Sequence, residues 1–143
     1  MDDKELFKKN FFVKGSDFAN AGEVSIEIKN ILKEIGYNSE VVRRVAIAAY
    51  EAEMNMVMYG GDGEINFTVN SSQVKIDLED HGIGIADINL AMQKGYSTAT
   101  EEMREMGFGA GMGLPNIKKN SDDFKIFSEV GKGTRLKIII MNK

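Results

Sequence analysis

The sequence predicts an α+β fold, a two-layer sandwich with helices on one face of a mixed, mostly antiparallel sheet. Three observations predict it. Residues 16–59 carry apolar side chains at helical spacing, whereas 64–79 and 124–141 alternate apolar and polar with a period of two. Each alternating stretch is interrupted by turn-forming residues, Asn70-Ser71-Ser72 in one and Gly131-Lys132-Gly133 in the other. The order that results is β, α, α, β, β, α, loop, α, β, β, as expected of helices covering one side of a sheet.

Taken in order, residues 9–14 hold Phe11, Phe12 and Val13 and read as a first strand. Ser16 or Asp17 is placed to cap a helix reaching Ile35, with Val24, Ile28, Ile31, Leu32 and Ile35 on one face and Gly36 as its stop. Asn38 or Ser39 starts a second helix that runs through Val41, Val42, Val45, Ala46 and Ala49 to Tyr59, where Gly60 and Gly61 end it. Strands at 64–70 and 73–79 form a hairpin. A short helix near 86–94 is followed by a polar segment, 97–106, without clear periodicity, which reads as a mobile loop. Residues 114–119 open another helix, with Pro115 near its first turn. A closing hairpin, 124–130 and 134–141, ends the order, its apolar last strand placed centrally. Phe11, Phe12, Phe67, Phe124 and Phe127, all on strands, are read as core, and Met54, Met56 and Met58 as core filler.

Composition narrows the function classes. A chain of 143 residues, 43% hydrophobic and 28% charged, fits one folded domain spanning 1–143. With 22 acidic against 18 basic side chains and a net charge of -4, it lacks the cationic surface on which nucleic-acid binding rests. No cysteine is present, which excludes disulfides, thiolate metal sites and cysteine nucleophiles. No stretch approaches the ~20 apolar residues of a membrane span, and the expected location is cytoplasmic. The 15 glycines, against a single proline, fall in clusters.

Three constellations carry candidate chemistry. Glu51 and Asn55 interrupt a small, apolar helical stretch and, at i and i+4, share one face. A carboxylate there can orient or deprotonate a hydroxyl, and the amide oxygen can ligate Mg²⁺. The plainer alternative is an exposed Glu51 beside an Asn55 that satisfies a neighbouring backbone group. Glu53 faces elsewhere and is expected to be solvated. Asp80-His81-Gly82-Ile83-Gly84 follows a hairpin strand. It is either an ordinary turn or a site where Asp80 accepts a hydrogen bond from the adenine amine while Gly82 and Gly84 let the backbone approach the ring. His81 is read as a solvent-facing turn residue.

The third constellation is the run of Gly107, Gly109, Gly111 and Gly113 ahead of a helix. Unblocked N–H groups and a helix amino terminus suit a polyphosphate, the alternative being a hinge. A Rossmann loop is not supported, since G-x-G-x-x-G fails at Met112 and Leu114, and Gly131-Lys132-Gly133-Thr134 sits in a hairpin rather than before a helix, unlike a P-loop.

The order E-x-x-x-N on a helix, D-x-G-x-G after a strand, a glycine-rich segment entering a helix and a late G-T resembles the Bergerat ATP-binding fold of gyrase, heat-shock chaperone ATPases, histidine kinases and MutL. In length it is most similar to the small anti-sigma-factor and switch serine kinases of the RsbT, RsbW and SpoIIAB type. Asp87 to Thr98 and Gly111-Met112-Gly113-Leu114-Pro115 look most like the RsbT branch. The resemblance implies ATP and Mg²⁺ as cofactors, with Asn55 on the metal and Glu51 as base toward a serine hydroxyl. It implies Asp80 on the adenine amine supported by Thr134, Gly82 and Gly84 beside it, and Gly107, Gly109, Gly111 and Gly113 along the triphosphate under a lid at 97–106.

The implied substrate is a serine on a STAS-domain antagonist of the anti-anti-sigma kind, and the implied regulated partner a sigma factor or a phosphatase. A homodimer is a possible assembly, and neither nucleic acid nor membrane is an expected partner. Two departures stand out: Tyr59 replaces a histidine common in the sigma-binding branch, and the lid segment 98–106 is longer and more charged. A second class of function, a nucleotide-gated binding module with little or no catalysis, is compatible with that lid.

Overall fold

A computed structural model describes residues 4–59, 61–93 and 113–143. Its elements are β1 (Glu5–Val13), a 3₁₀ turn (Phe18–Asn20), α1 (Glu23–Ile35), α2 (Ser39–Tyr59), β2 (Gly63–Asn70), β3 (Gln73–Asp80), α3 (Ile88–Ala91), α4 (Gly113–Asn120), β4 (Asp123–Glu129) and β5 (Gly133–Met141). The strands form one sheet in the order β1-β2-β3-β5-β4. Every ladder is antiparallel, so the sheet is not mixed. The α+β sandwich itself is as expected. Strand β5 is interior, flanked by β3 and β4, while β3 holds the middle position.

Period-two alternation decides which face of the sheet is covered. Ile65, Phe67 and Val69 of β2, Val74, Ile76 and Leu78 of β3, and Leu136, Ile138 and Ile140 of β5 are all buried beneath the helices. Phe67 is fully buried, with its ring centroid 6.1 Å from that of Phe7, and removing a side chain of that size from water is worth about 1.5–3 kcal/mol. Met54 and Met56 lie in the core, as expected of filler. Phe12 and Phe127 do not: at 65% and 55% exposure they lie outside the core. Phe12 lies between the buried Phe11 and Val13 and Phe127 between the half-buried Ile126 and Ser128, and a strand sends adjacent side chains to opposite faces.

The first strand starts earlier than its apolar residues indicate. Residues Glu5 to Lys9 include the charged Glu5, Lys8 and Lys9, but pairing with β2, Phe7 opposite Val69 and Lys8 opposite Thr68, extends the strand along an edge that water can reach. Helix α2 spans the range read from the sequence, with Asn38 Oδ1 accepting from the Glu40 N–H at 2.9 Å as its cap. Gly36 closes α1 in the left-handed conformation, φ 95°. Gly60 lies outside the described residues. Helix α3 is a single turn capped by Asp87. Among the described residues no helix is long and apolar enough to cross a membrane.

Helix α1 begins neither at Ser16 nor at Asp17 but at Glu23, after a left-handed Gly22 with no side chain to serve as a cap. Glu53 supplies what is missing. Its Oε2 accepts from the N–H groups of Gly22 (3.0 Å) and Val24 (3.3 Å), and its Oε1 accepts from that of Ser25 (3.0 Å). The expectation of a solvated Glu53 is therefore overturned, since the residue is 2% exposed. The first N–H groups of a helix have no partner within it, and a buried carboxylate from the neighbouring helix meets both their hydrogen-bonding demand and the positive end of the dipole.

Candidate functional site

Glu51 and Asn55 stand one turn apart on α2, on the side facing the start of α4. A Cβ placed on Gly113 would lie 3.2 Å from Glu51 Oε2, 3.2 Å from Asn55 Oδ1 and 3.4 Å from Asn55 Nδ2. With glycine here α4 begins close to both polar groups, which a Cβ would press aside by a few tenths of an ångström. Burial raises the Glu51 carboxyl above its ordinary value, and a hydrogen bond with Asn116 on α4 pulls it partly back. Asn116 was not singled out in the sequence. Its signal is a polar residue three positions after Gly113, next to the buried Ile117.

The Asn55 side chain is half-buried and makes no hydrogen bond among the described residues, yet among those residues no side-chain polar atom is both sealed off and unpartnered. Its amide oxygen is open to a ligand. Among the described residues no three His, Cys, Asp or Glu side chains gather into a metal site. A single side-chain oxygen fits a hard ion such as Mg²⁺, which keeps several waters and takes substrate phosphates as its other ligands.

Asp80 sits at the end of β3, 8% exposed. Burial raises its carboxyl above the ordinary value, while the N–H groups of Gly82 and Thr134 act in the opposite direction, with a smaller contribution from His81. The Gly82 N–H donates to Asp80 Oδ1 at 3.0 Å, closing a tight turn. Register alone brings Gly63 and Thr134 to either side of Asp80. The Thr134 hydroxyl meets that of Ser128 at 2.8 Å, and Ser128 Oγ also donates to the Gly133 carbonyl and accepts from the Ile85 N–H. Ser128, unmarked in the sequence reading, thus ties the turn after β3 to the β4–β5 hairpin. His81 is exposed, as expected of a turn residue.

The glycines around Asp80 are where the backbone is closest. A Cβ on Gly133 would meet the Asp80 carbonyl oxygen at 2.0 Å, and one on Gly63 the Glu79 carbonyl at 2.3 Å and Met56 Cε at 2.5 Å. Gly133 also has φ 126°, which side chains disfavour. Gly133→Ala is expected to open the β3–β5 ladder at its Asp80 end and to cost about 3 kcal/mol or more. Thermal melting checks this, and a variant as stable as the parent would contradict it. At Gly84, with φ 77°, a Cβ would lie 2.2 Å from the Glu129 carbonyl, so the hairpin itself requires a bare residue there.

The end of α2 lies against the turn that follows β3. The Tyr59 carbonyl, ending α2, accepts from the Ile83 N–H at 3.5 Å, and the Asp62 carbonyl from that of His81 at 3.1 Å. Glu51, Asn55 and Gly113 thus form one cluster, and Asp80, Gly82 and Thr134 another beside the last turn of the same helix. Gly107, Gly109, Gly111 and the segment 97–106 lie outside the described residues. Such an end offers an acceptor for an amine, an oxygen for a hard cation and a half-buried carboxylate.

A family described as histidine kinase-, DNA gyrase B- and HSP90-like ATPase matches residues 39–142. The serine/threonine-protein kinase RsbT of Bacillus subtilis (strain 168) is 33% identical over 115 residues, covering 78% of this chain and 80% of that one. The anti-sigma F factor of Thermoanaerobacter sp. (strain X514) is 26% identical over 143 residues, covering 96% and 94%. That of Clostridium acetobutylicum is 28% identical over 129 residues, covering 87% and 85%.

Proposed function

Since the chain belongs to the histidine kinase-, DNA gyrase B- and HSP90-like ATPases, a family that binds ATP, we propose that it is an ATP-dependent protein serine kinase acting in partner switching. The observation that carries this reading is Glu51 and Asn55 one turn apart against Gly113, on the helix whose end lies against the turn after Asp80. The names of the relatives, a serine/threonine kinase and anti-sigma F factors, support it.

Asp80 accepts the hydrogen bond of the adenine amine, with Thr134 and Gly82 holding its carboxylate in place. Because a carboxylate only accepts, guanine, with a carbonyl at that position, is disfavoured. Asn55 would hold Mg²⁺, and Gly107, Gly109, Gly111 and Gly113 would line the phosphates. Bound MgATP supplies the transferable phosphoryl group and the charge that neutralises it. Glu51 takes the proton from the attacking serine hydroxyl. The partner is a STAS-domain protein bearing that serine, and the regulated target a sigma factor or a phosphatase. The whole chain, 1–143, acts as one domain in the cytoplasm.

Calorimetric titration with ATP, ADP and GTP, with and without Mg²⁺, tests the nucleotide site. Adenine nucleotides should bind, Mg²⁺ should tighten ATP, and GTP should not compete. Asp80→Asn replaces one acceptor oxygen by a donor and should weaken ATP by about 10–100-fold, since hydrogen bonds to a charged group contribute about 1.5–3 kcal/mol. Equal affinity for ATP and GTP, or an Asp80→Asn variant that binds normally, would remove the adenine assignment.

A further inference from the structure

Between α1 and α2 runs a groove of about 520 Å³ whose lining includes Lys29, Lys33, Tyr37, Val42, Tyr50 and Glu51. Lys29 and Lys33 lie one turn apart on α1, both exposed, and neither makes an ion pair among the described residues. Arg43 faces them from α2 but is held by Glu40 at 2.5 Å. On a chain whose net charge is -4, Lys29 and Lys33 give this groove a local positive edge. Val42, Ala46, Ile47 and Tyr50 give the groove an apolar floor, and Tyr50 is 44% exposed there.

We infer that this groove receives an acidic segment of the protein substrate, Lys29 and Lys33 meeting its carboxylates while the phosphoacceptor serine reaches Glu51 at the groove's end. The inference rests on the kinase reading above and adds to it what the substrate must look like. Along α2 the groove is lined from Ser39 to Glu51, about 18 Å at about 1.5 Å per residue. That distance corresponds to about five to six residues of extended chain. The acidic side chains therefore lie within about five or six positions of the serine. A carboxylate, Glu51, closing one end makes the groove a poor fit for a continuous polyanion such as a nucleic acid, which would have to lay phosphates against it.

The test uses the full chain and three fluorescein-labelled probes: a decapeptide with a central serine and glutamates three and four positions away, the same peptide with lysines instead, and a single-stranded decanucleotide. Fluorescence anisotropy at low salt should show binding of the acidic peptide alone, weakening as salt rises. The double reversal Lys29→Glu/Lys33→Glu should weaken that peptide about tenfold and turn the preference toward the lysine peptide. Amide shifts in NMR spectra of the parent should move in α1 and α2. Failure of the acidic peptide to bind, unchanged binding by the double variant, shifts confined elsewhere, or equal uptake of the oligonucleotide would each overturn the inference. An ATP titration of the same samples separates the two levels. A parent that binds ATP but ignores the peptide loses only the groove, whereas one that binds no ATP loses the kinase reading.

Discussion

Glu51→Gln is expected to lower phosphoryl transfer to the serine substrate by about 10²–10⁴-fold, the range contributed by a positioned general base, while ATP affinity stays at the parent value. The substitution keeps the shape and the contact with Gly113 and removes only the ability to take a proton. Radiolabelled phosphate transfer in single turnover, alongside calorimetry with ATP, separates the two effects. Transfer at the parental rate would exclude Glu51 as the base, and loss of ATP binding would make it a nucleotide ligand instead. If partner binding still follows nucleotide in the variant, the gated-module behaviour coexists with catalysis.

The pH dependence has a definite sign. Burial, the larger influence, raises the Glu51 carboxyl above 4.5, and the Asn116 hydrogen bond only partly opposes it. The base must be ionised, so transfer should fall as pH drops through that raised value, and the acid limb should lie above 4.5. A raised carboxyl in the folded state makes ionisation cost stability once pH exceeds the unfolded value. Glu51→Gln should therefore leave the neutral-pH melting temperature unchanged or slightly higher.

Glu53→Ala is expected to produce the largest loss of stability. Three backbone N–H groups at the start of α1 lose their acceptor together, at roughly 1–3 kcal/mol for each donor left buried and unpaired. Not all of that is realised if water enters, so the net loss should be about 3–5 kcal/mol, lowering the melting temperature by about 10–15 °C. Glu53→Gln, which retains one acceptor oxygen but turns an amide donor toward N–H groups, should recover only part. Thermal denaturation of both variants checks the order. A melting temperature for Glu53→Ala within the error of the parent would show that α1 is capped without this side chain.

The legible parts of the fold were those written in local periodicity. Helix α2, both hairpins and the left-handed Gly36 follow from spacing and turn chemistry that neighbouring residues impose on one another. The pairing of Glu51 with Asn55 follows from i, i+4 geometry, and the position of Asp80 at a strand end from the break in alternation. What was misread depended on partners distant in sequence. Glu53 lies only two residues from Glu51, and nothing in α2 reveals that the carboxylate reaches an uncapped helix 28 to 31 residues earlier. Phe12 and Phe127 look like core until the sheet is seen to be covered on one side only. Asn116 and Ser128 are ordinary polar residues whose importance comes from what α4 and the β4–β5 hairpin bring against them.

The sequence by itself determined the elements and the residue types able to do chemistry, because backbone propensity and hydrophobic period act over a few neighbouring residues. Tertiary structure decided which of those residues meet. Strand register set Thr134 and Gly63 beside Asp80, Gly113 let α4 close on Glu51 and Asn55, and packing of α1 on α2 both buried Glu53 and opened a lysine-lined groove ending at Glu51. These are contacts between surfaces far apart in the chain, fixed by how apolar faces fill space and by which buried polar groups must find partners.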